Sequence, residues 1–200
     1  VAIAATTALQ GLRDAGRLEA GDKVLINGAS GGVGTFAVQI ARAMGAEVTG
    51  VCSTRNVELV RSLGADHVID YTRDDYTSVD VRYDVILDNV GNRSLAENRR
   101  VLEPDGRYVL IGGGGPEAGK WLGPMVKPLQ ALVTAPFVSQ DMGMFLARLK
   151  REDMQRLAEL MSSGTVLPVI DRRYALSEAA AAIRYLEQGR ARGKVVVTLE

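Results

Sequence analysis

Along the first half of the chain, short apolar runs alternate with stretches in which apolar residues recur every three to four positions. The runs Val24 to Asn27, Glu47 to Cys52, His67 to Asp70, Val85 to Asn89 and Arg107 to Ile111 predict strands, because each is short, rich in strand-forming residues and bounded by polar or glycine-containing turns. Helical spacing predicts helices over Val1 to Arg17, Thr35 to Met44, Val57 to Leu63 and Leu95 to Leu102, with Gly45 and Gly64 placed where a helix stops. Near-continuously apolar strands separated by amphipathic helices predict an α/β domain, a doubly wound parallel sheet covered on both faces.

The last third is less regular. Trp121 to Val133 has helical spacing interrupted by Pro124 and Pro128, which predicts a short or broken helix. Asp153 to Ser163 and Leu176 to Gln188 predict firmer helices, the second capped at Ser177 or an adjacent residue, and Lys194 to Leu199 predicts a closing strand. Residues 1–200 then form one domain: an opening helix over 1–17, a core over about 18–140, and C-terminal helices with a final strand over 141–200. Two hundred residues suffice for one substantial core.

The stretch "VLINGASGGVG", Val24 to Gly34, carries the first chemistry. A strand that runs into a glycine-rich turn and then a helix offers unpaired backbone N–H groups and a positive dipole end, which suit a phosphate. Ala29, Gly31 and Gly34 occupy the three glycine positions of G-x-G-x-x-G, with alanine as a departure at the first. The middle glycine admits a pyrophosphate to the backbone, and the last lets helix and strand pack closely. A mere tight turn is the alternative; the strand and helix on either side favour a Rossmann dinucleotide site.

Which dinucleotide binds is read at the end of the second strand. An NAD site places Asp or Glu there to hold the ribose hydroxyls, whereas a 2′-phosphate needs that charge absent and a cation near. Here "VTGVCSTRN" puts Cys52 at the acid's position, followed by Ser53, Thr54 and Arg55. A hydroxyl and a guanidinium would make charge-assisted hydrogen bonds to a 2′-phosphate, so NADPH is favoured over NADH. A solvent-exposed arginine of no consequence is the alternative.

Composition narrows the classes. With 24 basic and 24 acidic residues the formal net charge is zero, so no nucleic acid or membrane surface is expected as partner. No apolar run is long enough to span a bilayer, and a soluble, cytoplasmic protein is expected. One cysteine and one histidine furnish neither an internal disulfide nor the usual structural zinc site, so no metal is expected. Gly114-x-x-x-x-Gly119-Lys120 is followed by Trp121 instead of Ser or Thr and is read as a loop, not a P-loop. No Tyr-x-x-x-Lys pair occurs to supply a short-chain dehydrogenase's catalytic groups. His67 and Cys52 are read as structural, Asp84 and Asp88 as lying at opposite ends of one strand, and Met142, Met144 and Phe145 as packing.

Six segments in order, "TALQGL", "AGDKVLINGASGGVG", "LGADHVIDY", "YDVILDNVG", "GRYVLIGG" and "GRARGKVVV", resemble the medium-chain dehydrogenase/reductase superfamily, in its zinc-independent quinone oxidoreductase-like branch. The resemblance covers essentially the whole chain. It implies that Thr7 faces the nicotinamide end and that Ser30, Gly31, Gly32, Val33 and Gly34 hold the pyrophosphate. Ser53, Arg55 and Tyr71 would lie at the adenosine phosphate, with Arg190 or Arg192 as helpers, since a lysine often found in the family is replaced by Asn56. Asn89 and Val90 would sit by the nicotinamide-side ribose, Ile111, Gly112 and Gly113 along the ring, and Phe137 and Val138 at the carboxamide. It further implies a substrate domain before Val1 and a homodimer joined through an edge strand near Ala135 to Gln140, and it leaves the catalytic groups unassigned. The expected activity is NADPH-dependent hydride transfer to a quinone, enone or related carbonyl compound, negligible for this chain alone. A cofactor-binding sensor or assembly module without turnover is the alternative.

Overall fold

The structure, a computed structural model, describes residues 2–111 and 141–199. The expected broken helix over 121–133, the edge strand over 135–140, and the sites Gly112, Gly113, Phe137 and Val138 lie outside the described residues.

Strands β1 (Lys23–Asn27), β2 (Glu47–Cys52), β3 (His67–Asp70), β4 (Tyr83–Asp88), β5 (Leu102–Leu110) and β6 (Asp141–Met144) form a parallel sheet in the order β3-β2-β1-β4-β5-β6. Each pairing is parallel; β1, for example, sets Val24 opposite Val48 on one side and Val85 on the other. Because successive side chains alternate faces, Val24 and Ile26 join one core while Leu25 joins the other. The first core packs Ala5, Ala8 and Leu12 of the opening segment and Phe36, Ala37 and Ile40 against the sheet. The second, with Tyr76, Tyr83, Leu95 and Tyr108, covers the opposite face. This is the doubly wound Rossmann arrangement, in which β1 and β4 flank the point where the chain reverses direction across the sheet.

Helices α1 (Ala2–Gln10), α2 (Gly34–Ala43), α3 (Val57–Ser62), α4 (Leu95–Arg100), α5 (Arg151–Ser162) and α6 (Ala179–Glu187) lie close to the expected spans. The opening helix is shorter than 1–17, since a π-helical turn takes over at Gly11–Ala15. At Gly11 an added Cβ would stand 3.0 Å from both Ile111 and Leu87, so this turn rests directly on the sheet. Helix α4 stops at Arg100, and Leu102 already begins β5; the parallel register shifts across Pro104 to Gly106 and runs evenly from Arg107, the expected strand start. The last helix is preceded by a 3₁₀ turn, Leu176–Glu178, and its N-cap is the residue next to Ser177, Glu178, whose carboxylate accepts the Ala175 N–H at 3.0 Å.

Strand β7 (Ile170–Ala175) escaped the sequence pattern. It pairs in parallel with β8 (Lys194–Thr198) in a separate two-stranded sheet. Its sequence, IDRRYA, shows no apolar alternation because neither face meets the main core. The C-terminal segment is also tied to the opening one. Gln10 donates to the Arg148 carbonyl and accepts its N–H, while buried Asp153 accepts from Arg13 Nη1 at 2.7 Å and from Gln10. The Arg13 hydrogen bond holds the Asp153 carboxyl below its ordinary range.

Candidate functional site

A cleft of about 950 Å³ opens at the C-terminal ends of β1, β2 and β4, at the upper end of small-molecule pocket sizes. Its floor is the turn between β1 and α2, where Ser30, Gly31, Gly32, Val33 and Gly34 line it. Gly34 is required by close approach: a Cβ there would stand 2.1 Å from the Gly28 carbonyl oxygen and 2.8 Å from Ala29 Cα. Strand and helix can therefore touch; the Thr35 N–H is taken by the Gly31 carbonyl at 3.0 Å and the Phe36 N–H by the Val33 carbonyl at 3.1 Å, while no described hydrogen bond takes the N–H groups of Gly32, Val33 and Gly34, which line the cleft at the start of α2.

Beyond the end of β2 the wall comes from Ser53, Arg55 and Tyr71. Cys52 ends β2 and also lines the cleft; burial pushes its thiol up to about 11, so it stays neutral. Asn56, almost fully buried, donates to Ser30 Oγ at 3.0 Å and Ser53 Oγ at 3.2 Å, linking the glycine turn to the end of β2. A carboxylate does stand at the neighbouring strand end. Asp70, however, is taken up by the Thr54 hydroxyl and by the Thr72 hydroxyl and N–H, with its carboxyl held low by Thr54 first.

At the opposite end Asn89 and Val90 line the cleft. Buried Asp88 shapes their loop by accepting Asn27 Nδ2 at 2.9 Å, Val90 N–H at 3.0 Å, Gly91 N–H at 2.8 Å and the Tyr108 hydroxyl at 2.6 Å. Burial, then Asp88, pushes the Tyr108 phenol far above its ordinary value, so it remains a donor. Asp84 lies at the other end of β4 and accepts the Lys23 N–H at 2.8 Å. The buried Oδ1 atoms of Asn56 and Asn89 have no partner among the described residues, and both side chains line the cleft. Such acceptors suit the hydroxyl groups of a nucleotide's ribose.

Two other expected residues stand elsewhere. The Thr7 hydroxyl donates back to the Ile3 carbonyl at 2.7 Å within α1. Ile111 follows β5, its N–H on the Asp88 carbonyl, and its side chain rests against Gly11. Neither lines the cleft.

The residue that sequence reasoning missed is Lys194. It begins β8, far along the chain, yet its ammonium sits 2.6 Å from where a Cβ on Gly32 would be. It is half-buried, desolvation lowers its pKa, and no carboxylate among the described residues pairs with it. A desolvated cation over a glycine turn at a helix N-terminus matches a pyrophosphate in charge and shape. The turn leading into β8 also lines the cleft, through Gly189, Arg190 and Ala191. The lysine sits inside the segment GRARGKVVV, and a glycine-flanked basic residue there was the available signal.

A parallel sheet in this order, with a glycine-floored and cation-covered cleft at its switch point, is the arrangement of a dinucleotide-binding domain. The family model for zinc-binding dehydrogenases matches residues 63–197, and the chain belongs to the medium-chain dehydrogenase/reductase superfamily, of which it forms the cofactor-binding domain. It is 37% identical over 198 residues to the mouse (Mus musculus) NAD(P)H oxidoreductase RTN4IP1, mitochondrial, covering 90% of this chain and 48% of the relative. It is 32% identical to a tomato (Solanum lycopersicum) 2-methylene-furan-3-one reductase, over 98% of this chain and 45% of the relative. The solved quinone oxidoreductase of Coxiella burnetii superposes with a TM-score of 0.84 at 29% identity, over 98% of this chain and 58% of that one. The chain thus spans about half the length of the curated relatives it matches.

The described residues do not fit a zinc ion. Among the described residues no group of three or more His, Cys, Asp or Glu could hold a metal. Cys52 is buried at a strand end, and His67 on the edge strand faces Glu47 at 3.2 Å. No helix of the described residues is long and apolar enough to cross a membrane.

Proposed function

We propose that this chain is the NADPH-binding domain of a reductase that delivers hydride to a quinone, enone or related carbonyl compound. The nicotinamide supplies the hydride; the chain's own residues bind and orient. Lys194 and the first turn of α2 would neutralise the pyrophosphate, and the unpartnered Oδ1 of Asn89 would accept from a ribose hydroxyl.

The observation that carries the choice of NADPH is the end of β2, where a neutral thiol, a hydroxyl and a guanidinium meet in one wall and the Asp70 carboxylate at the end of β3 is engaged by Thr54 and Thr72. Arg55 would pair with the 2′-phosphate. Calorimetric titration of NADPH and NADH into the parent chain and Arg55→Ala tests this. NADPH should bind about ten- to a hundredfold more tightly than NADH, and Arg55→Ala should weaken NADPH alone. Equal affinities in the parent would overturn the assignment.

The hydride acceptor follows from the relatives' named activities, with quinones and conjugated carbonyls as the shared chemistry. This chain by itself would bind cofactor yet reduce quinones negligibly, because it spans about half the length of its relatives and a nicotinamide held by this part alone would lack positioning and exclusion of water. Steady-state NADPH oxidation with a simple quinone checks that. Pairing of two copies through the edge strand expected near 135–140, outside the described residues, is part of the same proposal, and light scattering showing only monomer at high concentration would count against it. A cytoplasmic location is also proposed, to be checked by cell fractionation.

A further inference from the structure

Arg55 does not stand alone. Its Nη2 donates to the main-chain carbonyl of Arg190, which belongs to the five-residue turn Gly189 to Gly193 between α6 and β8. That turn is held at three points. The Gly193 N–H donates to the Ser30 carbonyl at 2.9 Å, fastening it to the glycine floor. Gly193 has φ 70°, and a Cβ on it would meet the Val169 carbonyl oxygen at 2.5 Å, so only glycine fits. The Arg192 N–H donates to Asp171 Oδ2 at 3.0 Å, and the Tyr185 hydroxyl donates to the same oxygen at 2.6 Å. Arg172 lies over the Tyr185 ring at 4.0 Å and fixes that ring in turn.

We infer that Asp171, with Tyr185, is a positioning residue for cofactor discrimination: by anchoring the turn 189–193 it keeps the Arg190 carbonyl against the Arg55 guanidinium. The inference rests on the NADPH reading given above. A long exposed arginine normally loses much rotamer freedom when it captures a phosphate. Here one of its N–H groups is already engaged by a carbonyl, so the planar fork is oriented before ligand arrives, and the remaining donors are left for the phosphate. NADH lacks the group that uses this preorganisation. Asp171 should therefore matter to NADPH and hardly to NADH, although its own carboxylate touches neither Arg55 nor the glycine floor in any described hydrogen bond.

A double-mutant cycle tests it, with NADPH and NADH titrated calorimetrically into the 200-residue chain. Asp171→Ala should weaken NADPH about three- to tenfold and NADH by less than about twofold. In the Arg55→Ala background the same change should leave NADPH affinity nearly untouched, because the group it positions is gone. Tyr185→Phe, which deletes one hydroxyl from a half-exposed ring, should shift the ratio in the same direction by about two- to threefold, and it decides the question should Asp171→Ala not fold. A purely structural role would weaken both cofactors alike, or act equally with and without Arg55, and either result overturns the inference. If Arg55→Ala is selective for NADPH while Asp171→Ala and Tyr185→Phe are not, the inference fails and the NADPH reading stands. If the parent shows no preference and Arg55→Ala no selective loss, both fall.

Discussion

Replacing Lys194 by methionine would keep the length of the side chain and remove its charge, which makes it the sharpest probe of the cleft. The ammonium sits over Gly32, half-buried and without a carboxylate partner among the described residues. Its desolvation is already a cost to the free protein, so little more is incurred when a pyrophosphate arrives. A hydrogen bond to a charged group contributes about 1.5–3 kcal/mol, hence Lys194→Met should weaken binding about ten- to a hundredfold. The pyrophosphate is common to both cofactors, so NADPH and NADH should suffer alike, unlike the selective loss in Arg55→Ala. The free protein should respond in the opposite sense. Desolvation sets the folded pKa of Lys194 below its ordinary 10.5. The unfolded chain then holds that proton more tightly, and stability rises as pH climbs from the folded value to 10.5. Lys194→Met should lack that rise and melt at or above the parent's temperature at neutral pH. Calorimetric titration with both cofactors, and thermal melts of the free protein at pH 7 and 10, measure these effects. Losses under about threefold for both cofactors, or a lower melting temperature, would show that the ammonium serves packing; a loss confined to NADPH would put it at the 2′-phosphate.

Three further outcomes follow from single contacts. Gly34→Ala places a Cβ 2.1 Å from a carbonyl oxygen that belongs to the backbone, so it should cost about 3 kcal/mol in urea unfolding and abolish cofactor binding. Parent-like stability would refute that geometry. Asp153→Ala strips buried Gln10 and half-exposed Arg13 of their acceptor and should cost about 3 kcal/mol at pH 7. Because the folded carboxyl is held below its ordinary 3.8, this contribution is complete above pH 3.8 and fades as pH falls through the folded value, so acid titration of parent and variant should converge below it. NADPH at a hundred times its Kd should slow hydrogen exchange of the β8 amides about a hundredfold if opening of β7 and β8 breaks the site, and unchanged exchange there would separate that sheet from binding.

The main sheet was legible in the sequence because its central strands are buried on both faces. Leu25, Ile26, Ile86 and Leu87 leave no polar side to mistake, and Gly45 and Gly64 mark the ends of α2 and α3. The wall formed by Ser53 and Arg55 was legible for another reason: it follows its strand directly, so chain order fixes its place. Strand β7 offers neither signal, since its Asp171, Arg172 and Arg173 cover a two-stranded sheet that makes no core. Thr7 shows the reverse difficulty. A resemblance can place a residue near a ring, while the helix around it gives the hydroxyl a nearer acceptor in the Ile3 carbonyl. Lys194 and Asp171 belong to a third kind. A basic residue after a glycine is the one local signal at Lys194, and it does not say what the lysine faces; the Gly193 N–H meeting the Ser30 carbonyl brings this part of the chain over the first glycine turn. That meeting depends on topology. With β1 central in the sheet, its turn is reached from β2 on one side, β4 on the other and the turn before β8 above. A site assembled from such distant segments also binds their stabilities together, so whatever loosens the turn 189–193 should act on the cofactor first and on the β-sheet core last.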